Sequence, residues 1–234
     1  MSLNSIKRKV CLPYLIIIFS TLLWGPSLFA QSQLVKNLRQ GKDQSVVVYG
    51  TSLSSGNHGE SWMHPLAAYF NQKYGNHLKY CLSGKGGMWS TWGVQHLEDS
   101  VIAKNPDAVI IEFGMNDAVQ RFKTSTELAK LNLEYMIDRI HLFNPNCEII
   151  LQIMNMPIRK SATYRPNLIA YYNMYRDVAK ERGLLLIDHY ADWQKILDQG
   201  EDIFLKHVPD GLHPSDESGG TIIAPTVIRV LEGK

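Results

Sequence analysis

The stretch Ser45-Val46-Val47-Val48-Tyr49-Gly50-Thr51-Ser52 decides the fold. Its first five residues are dominated by β-branched and aromatic side chains, too apolar to leave one face in water, so Ser45–Tyr49 reads as a strand covered on both faces. It ends in a glycine and two hydroxyl residues, where an open parallel sheet places its chemistry. Four further runs repeat the pattern: Leu78–Leu82, Ala108–Glu112 after Asn105-Pro106-Asp107, Glu148–Met154 after Asn144-Pro145-Asn146, and Leu184–Ile187 after Gly183. Helices are expected near Ser61–Gln72, Trp92–Lys104, Ser125–Phe143 and Pro166–Arg182, a short one around Ala191–Leu197, and a last one near Ser215–Leu231, which Pro225 begins, kinks or restarts. Ser125 is placed to cap the third, and Leu128, Leu131, Tyr135, Ile137 and Ile140 approximate its core-facing stripe. Strands alternating with helices, without repeats or linkers, predict one α/β domain on a parallel sheet.

The first thirty residues obey another rule. Lys7, Arg8 and Lys9 precede an apolar run from Val10 to Trp24, and Gly25, Pro26 and Ser27 lead to Phe29 and Ala30. That order is a secretory signal peptide, so residues 1–30 are expected to be cleaved and residues 31–234 to form the exported domain. The alternative is a retained anchor, for which about 15 apolar residues are short of the ~18 needed to span a bilayer. Removing Lys7, Arg8 and Lys9 with no acidic residue leaves 21 Lys+Arg against 22 Asp+Glu, so the net charge moves from +2 to −1. The basicity belongs to the leader, and neither a nucleic-acid surface nor, after cleavage, a membrane association is expected.

Chemistry-bearing residues follow the strands. Gly50-Thr51-Ser52 closes the first, Gly84-Lys85-Gly86-Gly87 follows the second, Gly114-Met115-Asn116-Asp117 the third, and Asp210-Gly211-Leu212-His213 precedes the last helix. A serine hydroxyl needs a base to remove its proton, and His213 follows Asp210 as Asp-x-x-His, a spacing that among the eight histidines only His141 shares, inside the expected helix Ser125–Phe143. Ser52 is the candidate nucleophile, because Ser54 and Ser55 lack its position directly after the strand.

These four blocks, in this order, resemble those of the SGNH (GDSL-like) hydrolases, and the likeness spans about Val46 to Val230. The resemblance implies a three-layer α/β/α sandwich with a five-stranded parallel sheet in the flavodoxin-like order 2-1-3-4-5. It also implies a catalytic triad of Ser52, His213 and Asp210, with an oxyanion hole from the backbone N–H of Ser52, the backbone N–H of Gly87 and the side-chain amide of Asn116. Gly86 rivals Gly87, because the glycine loop can be registered in more than one way. A glycine at 87 is expected because a side chain would obstruct substrate, and Asp117 is expected to shape its loop. Two departures stand out: Thr51 occupies the place of the aspartate in the common Gly-Asp-Ser, and Ser83 stands near the place of a common asparagine.

The implied reaction is acyl transfer without cofactor, most simply O-deacetylation of a carbohydrate. A longer-chain esterase, thioesterase or lysophospholipase is the alternative enzyme, and a non-catalytic glycan-binding protein the alternative of another class. The histidines show no metal-ligand spacing and the glycine loop lacks Gly-Lys-Ser/Thr, so neither a metal nor a nucleotide is expected. Trp62, Trp89 and Trp92, with Met88, flank the site in sequence and serve either as a sugar platform or as core. Arg159, Lys160, Tyr164 and Arg165 are expected in a solvated loop, within reach of an acidic or hydroxylated substrate. Cys81 and Cys147 lie on strands that this order separates by roughly 14 Å at ~4.8 Å per strand, beyond the ~7 Å reach of a disulfide, so both are expected as buried free thiols. The sequence does not fix the oligomeric state.

Overall fold

The computed structural model describes residues 31–234, so the expected leader at 1–30 lies outside the described residues. Five strands, β1 (Gln44–Gly50), β2 (Leu78–Leu82), β3 (Ala108–Glu112), β4 (Glu148–Ile153) and β5 (Leu185–Asp188), form one all-parallel sheet in the order β2-β1-β3-β4-β5. Period-two alternation sends Val46 and Val48 of β1 to one core, with Trp62, Phe70 and Trp193, and Val47 and Tyr49 to the other, with Phe113, Ile137 and Tyr175. Each such fully buried side chain contributes about 1.5–3 kcal/mol relative to exposure, which is why these short runs commit to a doubly covered sheet. Among the described residues no helix is long and apolar enough to cross a membrane.

The helix Thr126–Phe143 begins as expected, with Ser125 Oγ accepting the Leu128 N–H at 3.2 Å. Its inward face follows expectation only at Ile137 and Ile140. Leu128, Leu131 and Tyr135 are 41%, 63% and 49% exposed, while Ala129, Leu133, Met136, Ile137 and Ile140 are buried. Both stripes have helical spacing. The buried face carries Leu133, Met136, Ile137 and Ile140 into the core, and Asn132 Nδ2 bonds the hydroxyls of Ser90 and Thr91 where the helix meets Ser90–Gln95.

Other departures are local. The helix expected over Trp92–Lys104 breaks into Ser90–Gln95, Leu97–Ser100 and a 3-10 turn Ile102–Lys104, because His96 and Val101 leave helical dihedrals. Gly56–Tyr74 runs longer than expected at both ends and carries Pro65 internally. The last helix starts at Asp216, widens into a π-turn at Gly219–Ile223 and resumes over Ala224–Leu231, so Pro225 sits just after a restart. Helices Gln33–Arg39, Arg159–Thr163 and Glu201–His207 were not expected from the sequence. The first is held by Glu148, whose carboxylate accepts from the Ser32 hydroxyl and the N–H groups of Gln33 and Leu34, a cap supplied by a strand more than a hundred residues away.

Among the described residues neither Cys81 nor Cys147 is bridged. Cys147 is buried, and burial first, then nearby Asp107 and Glu148, pushes its thiol up to about 12. Cys81 is exposed, contrary to expectation, because β2 is an edge strand whose outer residues have no neighbouring layer.

Candidate active site

β1 ends at Gly50 and the chain turns into a 3-10 segment, Ser52–Ser54, in which Thr51 Oγ1 accepts the Leu53 N–H. That turn lifts Ser52 to the rim of the sheet. Its Oγ lies 2.9 Å from His213 Nε2. Ser54 and Ser55 point elsewhere: Ser54 Oγ donates to Glu112 and Ser55 Oγ to the Ser52 carbonyl. Position in the sequence and geometry select the same hydroxyl.

His213 Nδ1 lies 2.6 Å from Asp210 Oδ2, and Asp210 Oδ1 accepts the N–H groups of Leu212 and His213 at 2.8 and 2.7 Å. Three residues of spacing thus suffice to bond the far ring nitrogen, leaving Nε2 as acceptor for the serine. Burial raises the Asp210 pKa, but the bonds from the His213 ring and the two N–H groups outweigh it and hold the carboxyl below its ordinary value. The Asp210 carboxylate is thereby placed to stabilise the imidazolium that forms when the ring takes a proton.

His58, a residue the sequence did not single out, stacks on His213 with ring centroids 4.6 Å apart and planes within 7°. Burial first, then the proximity of His213, holds its pKa below the ordinary imidazole value, so it lies against the triad as a neutral ring. No sequence signal pointed to it, since the expected helix began at Ser61 and only the structure extends it back to Gly56.

Asn116 lies in a short helical turn, Gly114–Asp117, after β3. Its Nδ2 donates to the Met88 carbonyl at 2.8 Å and its Oδ1 accepts from Arg165 Nη2 at 3.1 Å. One amide N–H remains for a substrate oxygen. Arg165 is buried, not solvated, because its Nε and Nη1 also bond the carbonyls of Met115 and Ser161, each at 2.9 Å. Its role is to fix the orientation of the Asn116 amide. We expect Arg165→Met to lower kcat roughly 10-fold or more with little change in KM, the mark of an interaction that matters in the transition state. Unchanged kcat in steady-state assays would show that Asn116 is held without it.

The glycine loop wraps the nucleophile turn from the other side. A Cβ on Gly84 would lie 2.6 Å from the Ser54 carbonyl oxygen, so only glycine packs there. Gly87 has φ +75°, and a Cβ on it would meet no protein atom within 4 Å, so within the protein the backbone conformation, and not crowding, calls for glycine. Gly87 lines the same cleft as Ser52, Asn116 and His213, whereas Gly86 does not. Asp117 Oδ1 accepts the Ser90 N–H at 2.9 Å and joins the loop to the next helix, as expected of a shaping residue.

Glu112 closes β3 beneath the nucleophile. Its Oε2 accepts the Thr51 N–H at 3.1 Å and the Thr51 hydroxyl at 2.7 Å. Burial, offset only in part by these bonds, pushes its carboxyl up to about 7. A carboxyl whose folded pKa exceeds its unfolded value of ~4.3 contributes stability that is complete below the unfolded pKa and is lost as pH rises through the folded one. Glu112→Gln should therefore gain on the wild type as pH rises from 5 to 8, at ~2–4 °C of melting temperature per kcal/mol. A constant difference across that range would place the Glu112 pKa near normal.

The cleft has a volume of about 700 Å³ and is walled by Val119, Gln120, Phe122, Tyr164 and Leu212 around Ser52 and His213. Trp62 is not part of it, being fully buried with Nε1 donating to the Leu53 carbonyl. Trp89 stacks on Phe122 with centroids 4.2 Å apart, and Trp92 stacks on His96, so neither faces the cleft as a platform. Among the described residues no group of three His, Cys, Asp or Glu side chains is placed to hold a metal ion.

Known structures share this fold at low identity. An acetylxylan esterase from Geobacillus stearothermophilus aligns with a TM-score of 0.68 at 19% identity over 82% of this chain and 96% of its own. A lipase/acylhydrolase from Enterococcus faecalis aligns at 0.69 and 21% identity over 81% and 96%, and an α/β hydrolase from the metagenome of Lake Arreo, Spain, at 0.67 and 18% over 87% and 97%. No curated protein matches the sequence. The model of the GDSL-like lipase/acylhydrolase family matches residues 48–218, most of the chain, and the protein belongs to that family of ester hydrolases.

Proposed function

We propose that the protein is an exported serine esterase that removes O-acetyl groups from a carbohydrate, with Ser52 as nucleophile. The observation that carries the reading is the unbroken relay from Ser52 Oγ through the His213 ring to Asp210, with contacts of 2.9 and 2.6 Å. In the first step His213 Nε2 takes the serine proton as Oγ attacks the ester carbonyl. The N–H groups of Ser52 and Gly87 and the free N–H of Asn116 receive the oxyanion. His213 then returns the proton to the departing alcohol, and a water molecule activated by the same ring releases the acid.

The polar side chains of Gln120, Ser161 and Tyr164 in the cleft wall support a hydroxylated alcohol, since a few placed polar groups fix ligand orientation. Export rests on the leader-like residues 1–30. Hydrolysis of p-nitrophenyl acetate and p-nitrophenyl octanoate separates the proposal from a longer-chain acylhydrolase. Higher kcat/KM on the acetate is expected, and a preference for the octanoate would overturn the deacetylase reading.

A further inference from the structure

We propose that the cleft selects an ester whose sugar part carries a carboxylate, an acidic glycan and not a neutral one, and that Arg121 is the cation that receives it. The proposal rests on the deacetylase reading and adds the charge of its substrate. Two arginines, Arg121 and Arg165, line the cleft with Ser52, and no aspartate or glutamate does. Their situations differ. Arg165 is buried with donors committed to Met115, Ser161 and Asn116, so it shapes the site and has little left for a ligand.

Arg121 is exposed, and among the described residues no carboxylate pairs with it, whereas five other arginines, for example Arg139 with Glu98 and Arg176 with Asp188, form salt bridges. Its guanidinium lies 4.8 Å from the centroid of the Phe122 ring, and Phe122 is itself backed by Trp89. Contact with an aromatic face restrains a guanidinium without consuming its N–H donors. A restrained fork of free donors matches a carboxylate in bidentate geometry. A chain of expected net charge −1 without its leader thus presents, in the cleft that holds Ser52, a cation with no carboxylate partner among the described residues.

The test compares acetate release from O-acetylated galacturonate oligosaccharides with release from the same oligosaccharides after their carboxyls are converted to primary amides. The purified protein should favour the acid form about 10-fold in kcat/KM at ~0.01 M ionic strength, with the ratio falling towards unity near ~1 M, where the screening length is only ~3 Å. Arg121→Gln should bring the ratio close to one at low salt, and Arg121→Glu should invert it. Lys104→Gln, at the opposite end of the sheet, should keep the wild-type ratio. Equal turnover of the two forms by the wild type, or a ratio that Arg121→Gln does not move, overturns the proposal. p-Nitrophenyl acetate separates the two levels: activity there without a charge preference overturns this proposal alone, and inactivity there overturns the esterase reading and this proposal with it.

Discussion

Ser52→Ala is expected to lower kcat for p-nitrophenyl acetate by at least about 10⁴-fold while leaving the melting temperature within ~2 °C. The size follows from losing the covalent route: without Oγ, only water attack assisted by the oxyanion donors remains. The small structural effect follows from what the hydroxyl touches. Its polar contact is with His213, whereas the turn around it is tied down by Thr51, Ser54 and Glu112. Steady-state kinetics and thermal melting on one preparation check both halves. A variant that retained a tenth of wild-type turnover would remove Ser52 from the mechanism.

His213→Ala is expected to match Ser52→Ala within about 10-fold, and the double variant to be no worse than either single one, because the two side chains act as a unit. Additive losses would mean that they contribute separately. Asp210→Asn should cost less than His213→Ala: the backbone N–H groups of Leu212 and His213 still have an oxygen to bond, but the ring loses the charge that favours its imidazolium.

Much of this site was legible because an α/β sheet converts sequence order into position. The strand Ala108–Glu112 was read to the residue. Ser52 and Asn116 follow their strands, and His213 precedes the last helix, closely enough for topology to place them on one rim. What the sequence concealed were contacts between segments with no shared pattern. Arg165 reads as one more basic residue after β4, and only folding brings it within 3.1 Å of Asn116 Oδ1. Glu112 was visible as a charged residue ending an apolar strand, but its partner Thr51 lies sixty-one positions earlier.

The two are linked by the departure noted at Thr51. The carboxyl group absent from the position before the nucleophile is supplied in space by Glu112 of the neighbouring strand, which bonds the backbone and side chain of Thr51. The error over Leu128, Leu131 and Tyr135 has another cause: two stripes of similar spacing coexist on one helix, and periodicity cannot choose between them. Asn132, a polar residue that no apolar pattern would count, lies on the buried face with its amide bonded to Ser90 and Thr91.

The most direct test of the triad is covalent capture. Incubation with a fluorophosphonate, followed by digestion and mass spectrometry, should yield one adduct per chain on the Ser52 side chain, formed in step with loss of esterase activity and absent from His213→Ala. Full inactivation with the label on another residue, or esterase activity that survives complete labelling of Ser52, would contradict the account.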